Sequence, residues 1–483
     1  MPGGTERDRP CHLRILFFVH NVGKTRHFDG VIERLALRGH TVILAAAGKR
    51  SGFKVSRKGK RLETVACPTR RVDRWKTAAP ALRLVRDYLR FFEPPYEGAS
   101  KLSARAAEHT PAAWRDLIDR HPWIRRRARL VGRLLALAEA AVPPDRYFEL
   151  FIKYHEPDLV IVTPLVDFGS YQTDYVKAAH RLGIPVVFMP FSWDNLTNRG
   201  LIRVQPDRVI VWNDIQKREA IELHGVPPDR VVVTGAARFD DFYELKPSTT
   251  REAFCAAAGL EASRPFILYG CSSPFVAPQE VEFVRRWIGE VRKSANPLVA
   301  SAGILVRPHP VHEDQWDDVS FADLKDVAIW RLPTTMNADQ GLYDSLYHAS
   351  ALVGLNTSAM LEASIVGRPV LTVLAPDFTG GQAQTLHFQY LRRENGGPVV
   401  AAAGFDEHRR HLEYAVSEPE KLGKRSAKFA TSFLRPNGPY RRVDRFVVDA
   451  LEQAAVIRKR PRYLAPAWQY PVRWALRLVP GVR

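Results

Sequence analysis

The chain has 483 residues, of which 46% are hydrophobic, 10% aromatic and 25% charged, the balance of a folded globular protein and not of a disordered or fibrous one. Its longest stretch without Asp, Glu, Lys or Arg, residues 345–361, carries His348, Asn356, Thr357 and Ser358 and is too polar to cross a bilayer core of about 30 Å. The net charge of +19, from 71 basic and 52 acidic residues, favours an anionic partner: nucleic acid, acidic lipid or a phosphorylated substrate.

The first residues lead through a short apolar run into an ordinary domain pattern with no small-residue cleavage site, so a cytoplasmic chain without a secretory signal is predicted. Cys11, Cys67, Cys255 and Cys271 are too far apart for a zinc motif and are expected as buried, reduced thiols. No acidic metal cluster stands out, and neither a metal nor a cofactor is predicted.

In chain order, LRILFFV at 13–19 predicts a buried strand. The spacing of Phe28, Val31, Ile32 and Leu35 predicts a helix over 28–38, and 41–45 the next strand. A basic stretch, 49–76, follows with eleven Lys or Arg against Glu63 and Asp73. Residues 77–157 then break the rhythm as a mostly helical, basic insertion. From 158 the alternation resumes with strands in DLVIVTP, IPVVFMP, DRVIVWN and DRVVVTG, and helices in YQTDYVKAAHRLG and DIQKREAIELHG. A second alternation places strands in RPFILYG, GILVRPHP, VAIWRL, ALVGLN and RPVLTVL, with the helix TSAMLEASIVG between the last two. Such runs predict an α/β chain of two doubly wound, Rossmann-type domains facing across a cleft, over 11–246 and 247–440. Residues 441–483 are read as a helix followed by a basic aromatic tail.

In open parallel sheets ligands bind outside the carboxyl ends of the strands, so the residues after each strand are the candidates. After the first strand come His20, His27 and Asp29; His20 leaves the strand directly, and imidazole suits a general base. FSWDNLTNRG offers Trp193 to stack on a sugar, Asp194 as base or acceptor ligand, Asn195 for polar contacts and Arg199 for phosphate, with an Asx-type turn as the other reading. Arg238 and Asp240 lie near the expected hinge, to meet ligand or to pair with each other. In the second half, Gly270, Cys271, Ser272 and Ser273 can cradle a phosphate with backbone N–H groups. Arg307 and His309 sit in a stiff Arg-Pro-His-Pro turn suited to a diphosphate. Asn356, Thr357 and Ser358 precede a helix bearing Glu362; the hydroxyls either cap that helix or leave its N–H groups to an anion, and Glu362 can take the two hydroxyls of a ribose.

These second-half residues resemble the donor-binding domain of the GT-B glycosyltransferases, in whose pattern NTSAMLEASIVGRPVLTV looks like the stretch that meets a donor diphosphate and ribose. The order FSWDNLTNRG, DRVIVWNDIQKREAIELHG, VVVTGAARFDDF, FILYGCSS, LVRPHP, GLNTSAMLEA is similar to that of the CDP-glycerol glycerophosphotransferase group. Two departures separate the chain from that group. Ser192, Trp193, Asp194 and Asn195 stand at its WHG-type motif, and Asn356, Thr357 and Ser358 at its DYSS-type motif. The Glu-bearing helix also resembles UDP-N-acetylglucosamine 2-epimerases. The resemblance implies an enzyme that moves a sugar from a nucleoside diphosphate sugar to a glycan or lipid-linked acceptor of the cell envelope. In it His20, Asp194 and His309 are the catalytic candidates. Transfer of a polyol phosphate from a CDP donor is the alternative within enzymes. A non-catalytic RNA- or polyanion-binding protein is the alternative outside them, disfavoured because no RRM, KH or helix-turn-helix pattern is present. Trp114, Trp123 and Leu130 among Arg125–Arg127 and Arg129, and Trp468, Tyr470 and Trp474 in a tail without acidic residues, suit the headgroup layer of an anionic membrane.

Overall fold

The computed structural model describes residues 12–20, 22–48, 61–331, 337–457 and 466–477. Cys11, Asn21, and parts of the basic stretch (49–60) and of the tail (458–465 and 478–483) lie outside them. Two wholly parallel sheets organise the chain. The first has the order β3-β2-β1-β4-β5-β6-β7, built from β1 Arg14–Val19, β2 Thr41–Ala46, β3 Leu62–Ala66, β4 Leu159–Thr163, β5 Val186–Phe188, β6 Arg208–Val211 and β7 Val231–Val233. The second has the order β10-β9-β8-β11-β12-β13, from β8 Phe266–Gly270, β9 Gly303–Arg307, β10 Val327–Ile329, β11 Ala351–Val353, β12 Val370–Val373 and β13 Val399–Ala402. Each sheet reverses its winding once, between β1 and β4 and between β8 and β11, and those reversals are where ligands of doubly wound sheets collect.

The apolar runs are strands because both faces are covered. Along β1, Ile15, Phe17 and Val19 enter one core with Leu159 and Ile161, while Leu16 and Phe18 enter another with Val160 and Val162. Two strands escaped sequence reading. β3, inside the basic stretch, and β13, in GGPVVAAA, are sheet edges, and β3 has no fully buried residue to mark it.

Contact density divides the chain into two units, Met1–Asp240 with Leu434–Arg483, and Asp241–Phe433. The first division therefore falls at 240/241 where sequence placed it at 246/247, and the last segment packs on the first unit. The helix Val443–Ala455 lies on α1 (Asp29–Leu37), with Val447, Val448 and Leu451 joining the core of Val31, Ile32 and Leu35. Arg34–Asp444 at 2.8 Å and Arg38–Asp449 at 2.7 Å flank that contact. Gly235, at φ +109°, is required there, since a Cβ would meet the Leu434 carbonyl oxygen at 2.7 Å.

The insertion in the first unit consists of α2 Ala78–Arg90, α3 Ser100–His109, α4 Ala112–Arg120, α5 Pro122–Arg126, α6 Ala128–Ala141 and α7 Arg146–His155. It is fastened to α8 (Gln172–Leu182) by charge as well as by apolar packing. Arg83 of α2 donates to Asp174 of α8 at 2.7 and 2.8 Å and to Glu139 of α6 at 3.1 and 3.2 Å; Lys177 meets Glu139 at 2.7 Å and Arg71 meets Asp174 at 2.5 Å. Cys67, Cys255 and Cys271 are buried free thiols. Among the described residues no helix is long and apolar enough to cross a membrane.

Candidate functional site

In the first unit, chemistry collects at the reversal between β1 and β4. His20, the residue after β1, is half exposed at 51%, and its Nδ1 lies 3.4 Å from Oδ2 of Asp167 in the loop after β4. The other oxygen of Asp167 is paired with Arg199, whose guanidinium also lies over the Phe191 ring at 5.3 Å. A carboxylate on Nδ1 orients an imidazole, fixes its tautomer and stabilises the cation formed when Nε2 takes a proton. Nε2 of His20 has no hydrogen-bond partner among the described residues. Asp167 was missed from sequence; its only signal was its place after a strand.

The neighbouring candidates are arranged otherwise than expected. Asn195 Oδ1 accepts from the backbone N–H groups of Phe191 and Ser192 at 3.0 and 3.2 Å, so its amide closes its own loop, the Asx-type reading. Asp194 accepts from Asn198 at 2.7 Å and Asn195 at 3.4 Å, and it is Asp167 that pairs with His20. Trp193 is only 5% exposed, which leaves no ring face for a sugar. His27 is buried and stacked on Phe191, ring centroids 5.3 Å apart; with Arg238 it lines a cavity of about 20 Å³, room for a water molecule and not for a sugar. Asp240 pairs with Arg435 at 2.9 Å and takes the backbone N–H of Asp444 at 2.8 Å, which corrects the pairing with Arg238.

In the second unit, three loops leave the carboxyl edge. After β8, Ser272 is fully buried and its N–H goes to Glu280 at 2.7 Å, whose other oxygen accepts from the Tyr269 hydroxyl at 3.0 Å. Burial pushes the Glu280 carboxyl up to about 7 against these donors. This carboxylate thus holds from inside the protein a donor expected to face a phosphate. Ser273 serves its own turn, its carbonyl accepting from Val276 and Ala277 at 2.9 and 3.0 Å. Gly270 permits close packing: a Cβ on Gly354, beside it, would lie 2.8 Å from the Gly270 carbonyl oxygen.

After β9, Arg307 donates to the carbonyls of Gly341 and Ala338 and to the Ser345 hydroxyl at 3.1 to 3.3 Å, clamping the helix Ala338–His348. Burial lowers its pKa to about 10, so it remains a cation at neutral pH. His309 Nδ1 accepts from the Val311 N–H at 3.2 Å, which puts the proton on Nε2, and burial, then the nearby His312, lowers its pKa. His309 is therefore a neutral donor at neutral pH, not the cation expected beside a diphosphate.

After β11, Asn356 is tied by its amide to the Gly381 carbonyl at 2.8 Å and to His387 at 3.3 Å. The helix Ala359–Val366 then starts with Ser358 in helical conformation and no side-chain cap from it; Thr357 Oγ1 reaches the Ala359 N–H only at 3.5 Å. Capping, the competing explanation for these hydroxyls, is thus weakly realised, and the first N–H groups of the helix keep their positive end. Glu362 lies in the first turn of that helix at 5% exposure. Among the described residues no three His, Cys, Asp or Glu form a group able to hold a metal ion.

Solved structures share this fold over nearly the whole chain. A glycosyltransferase from Rickettsia africae, 12% identical, has a TM-score of 0.52 over 92% of this chain and 99% of that one. A Listeria monocytogenes protein described as a UDP-N-acetylglucosamine 2-epimerase, 10% identical, has 0.51 over 94% and 98%. MnaA from S. aureus, solved with UDP and 12% identical, has 0.50 over 94% and 100%. The chain has the two-domain GT-B fold, with a Rossmann-like sheet in each unit. No protein-family model matches it, and no curated protein does.

Proposed function

We propose that the chain is a glycosyltransferase that moves a sugar from a nucleoside diphosphate sugar to a glycan or lipid-linked acceptor of the cell envelope. The observation that carries this reading is the His20–Asp167 pair at the reversal point of the first sheet, an oriented imidazole able to take the proton of an acceptor hydroxyl. The second unit holds the donor. The start of the helix Ala359–Val366, with the Thr357 and Ser358 hydroxyls, receives the diphosphate, and Glu362 takes the ribose. Arg307 and the neutral His309 add a cation and a hydrogen-bond donor to the charge that grows on the leaving diphosphate. As the bond from the anomeric carbon to that diphosphate breaks, the acceptor oxygen bonds to the carbon and its proton passes to His20 Nε2. The UDP carried by the S. aureus relative supports a nucleotide donor. Nucleotide binding to the wild-type chain and to Glu362→Ala tests the reading.

The work is proposed to take place on the cytoplasmic face of an anionic membrane. Leu130, Leu134 and Leu137, at one-face spacing on α6, are exposed, as are Tyr470 and Trp474 on the helix Gln469–Arg477 that packs on α6. Arg473 donates to the Ala141 carbonyl at 2.6 Å and ties that helix to the end of α6. Apolar side chains among Arg126, Arg127, Arg129 and Arg133 match interfacial binding. In sedimentation with phosphatidylglycerol vesicles, the wild-type chain is expected to pellet and Leu134→Glu/Trp474→Glu to stay in solution. Equal pelleting of both would refute this surface.

A further inference from the structure

We propose that a second pocket in the first unit, beside His20, binds the phosphate of a phosphorylated acceptor, and that Arg70 and Lys76 are the residues that recognise it. The pocket is a cavity of about 440 Å³ at the carboxyl edge of β1, β3 and β4. His20 and Asp167 form one wall, Thr69 and Arg70 after β3 another, and Lys76 and Thr77 before α2 a third. That volume lies in the range of small-molecule sites and accommodates a sugar phosphate.

Its charge is what selects the ligand. The floor is a closed set of buried ions: Arg71, Arg83 and Lys177 face Asp73, Asp174 and Glu139, three cations against three anions, each in an ion pair. Asp167 is matched by Arg199. Arg70 and Lys76 remain, both exposed, and neither has a hydrogen bond or ion pair among the described residues. The helix α2 begins at the same wall with no side-chain cap and no acidic residue in its first turn, so its positive end adds to theirs. Two unmatched cations suit a phosphate ester, which carries about −1.5 to −2 at pH 7, better than a neutral sugar or a single carboxylate. A phosphate held there places the rest of the acceptor next to His20, and so the inference rests on the reading of His20 as the base.

Calorimetric titration of the full chain at fixed ionic strength, with glucose 6-phosphate, farnesyl phosphate and glucose, tests it. A phosphate ester is expected to bind and glucose not to. The tighter ester tells whether the phosphate arrives on a soluble sugar or on a lipid. Arg70→Ala/Lys76→Ala should weaken the ester at least tenfold with an unchanged melting temperature, and Glu362→Ala should leave its affinity as in the wild type. Absence of binding by both esters, or equal affinity in the double variant, would overturn the pocket. Esters that bind to a chain that takes no nucleotide would uphold the pocket and remove the donor reading instead.

Discussion

Replacement of Arg83 by methionine is expected to lower the unfolding free energy by roughly 3 to 5 kcal/mol, read as a lower urea midpoint. Arg83 is 1% exposed and bonds Asp174 and Glu139 at once, so a single guanidinium joins α2, α6 and α8. Methionine fills much of the volume but leaves two buried carboxylates with only Arg71 and Lys177 between them. Acid sensitivity should change as well. Burial by itself would raise the Asp174 carboxyl, but Arg83 first and then Arg71 and Lys177 outweigh burial and hold it down at about 2, from 3.8. A depressed carboxyl contributes stability that is whole above its unfolded value and is lost as pH falls through the folded one. The wild-type chain should therefore lose this contribution between about pH 4 and pH 2, and Arg83→Met should lose it at higher pH. A destabilisation below about 1 kcal/mol would mean that the network does not fasten the insertion.

His20→Ala is expected to reduce kcat by about 10² to 10⁴, the usual worth of a positioned general base, with little change in donor affinity. The His20 ring is half exposed and its partner Asp167 keeps Arg199, so folding should be unaffected. Asp167→Asn should cost less, since it keeps a polar partner for Nδ1 while removing the charge that stabilises the imidazolium. The check is the initial rate of nucleoside diphosphate release in the presence of acceptor. A kcat for His20→Ala within about threefold of wild type would assign the proton to another group.

The central strands were legible because parallel sheets covered on both faces require unbroken apolar runs, as in LRILFFV and FILYG, closed by residues that cannot continue a strand. Edge position hid β3, whose LETVA is only half buried and lies in a basic stretch. The helix Val443–Ala455 was legible as a helix. Its packing on α1, some 400 positions away in sequence, was not, because an amphipathic stripe does not say which core it joins. The site shows the same limit. His20 was found by its place after a strand, but Asp167 becomes its partner only through the pairing of β1 with β4. Ser272 and Arg307 were chosen as residue types that bind phosphate, and in the fold the N–H of one serves Glu280 and the guanidinium of the other clamps a helix. Residue type and strand position locate a candidate; what its polar atoms are already bonded to is decided by distant segments.

The most direct test of a nucleotide-dependent transferase is a thermal-shift comparison of the wild-type chain and Glu362→Ala against UDP, GDP, CDP, dTDP and their sugar conjugates, with CDP-glycerol included. A ligand at 100 times its Kd should stabilise the native state by about 2.7 kcal/mol. The prediction is a rise in melting temperature with UDP, GDP or dTDP and its sugar, abolished in Glu362→Ala. A response to CDP-glycerol alone would point to polyol phosphate transfer, and no response of the wild-type chain to any nucleotide would contradict the account.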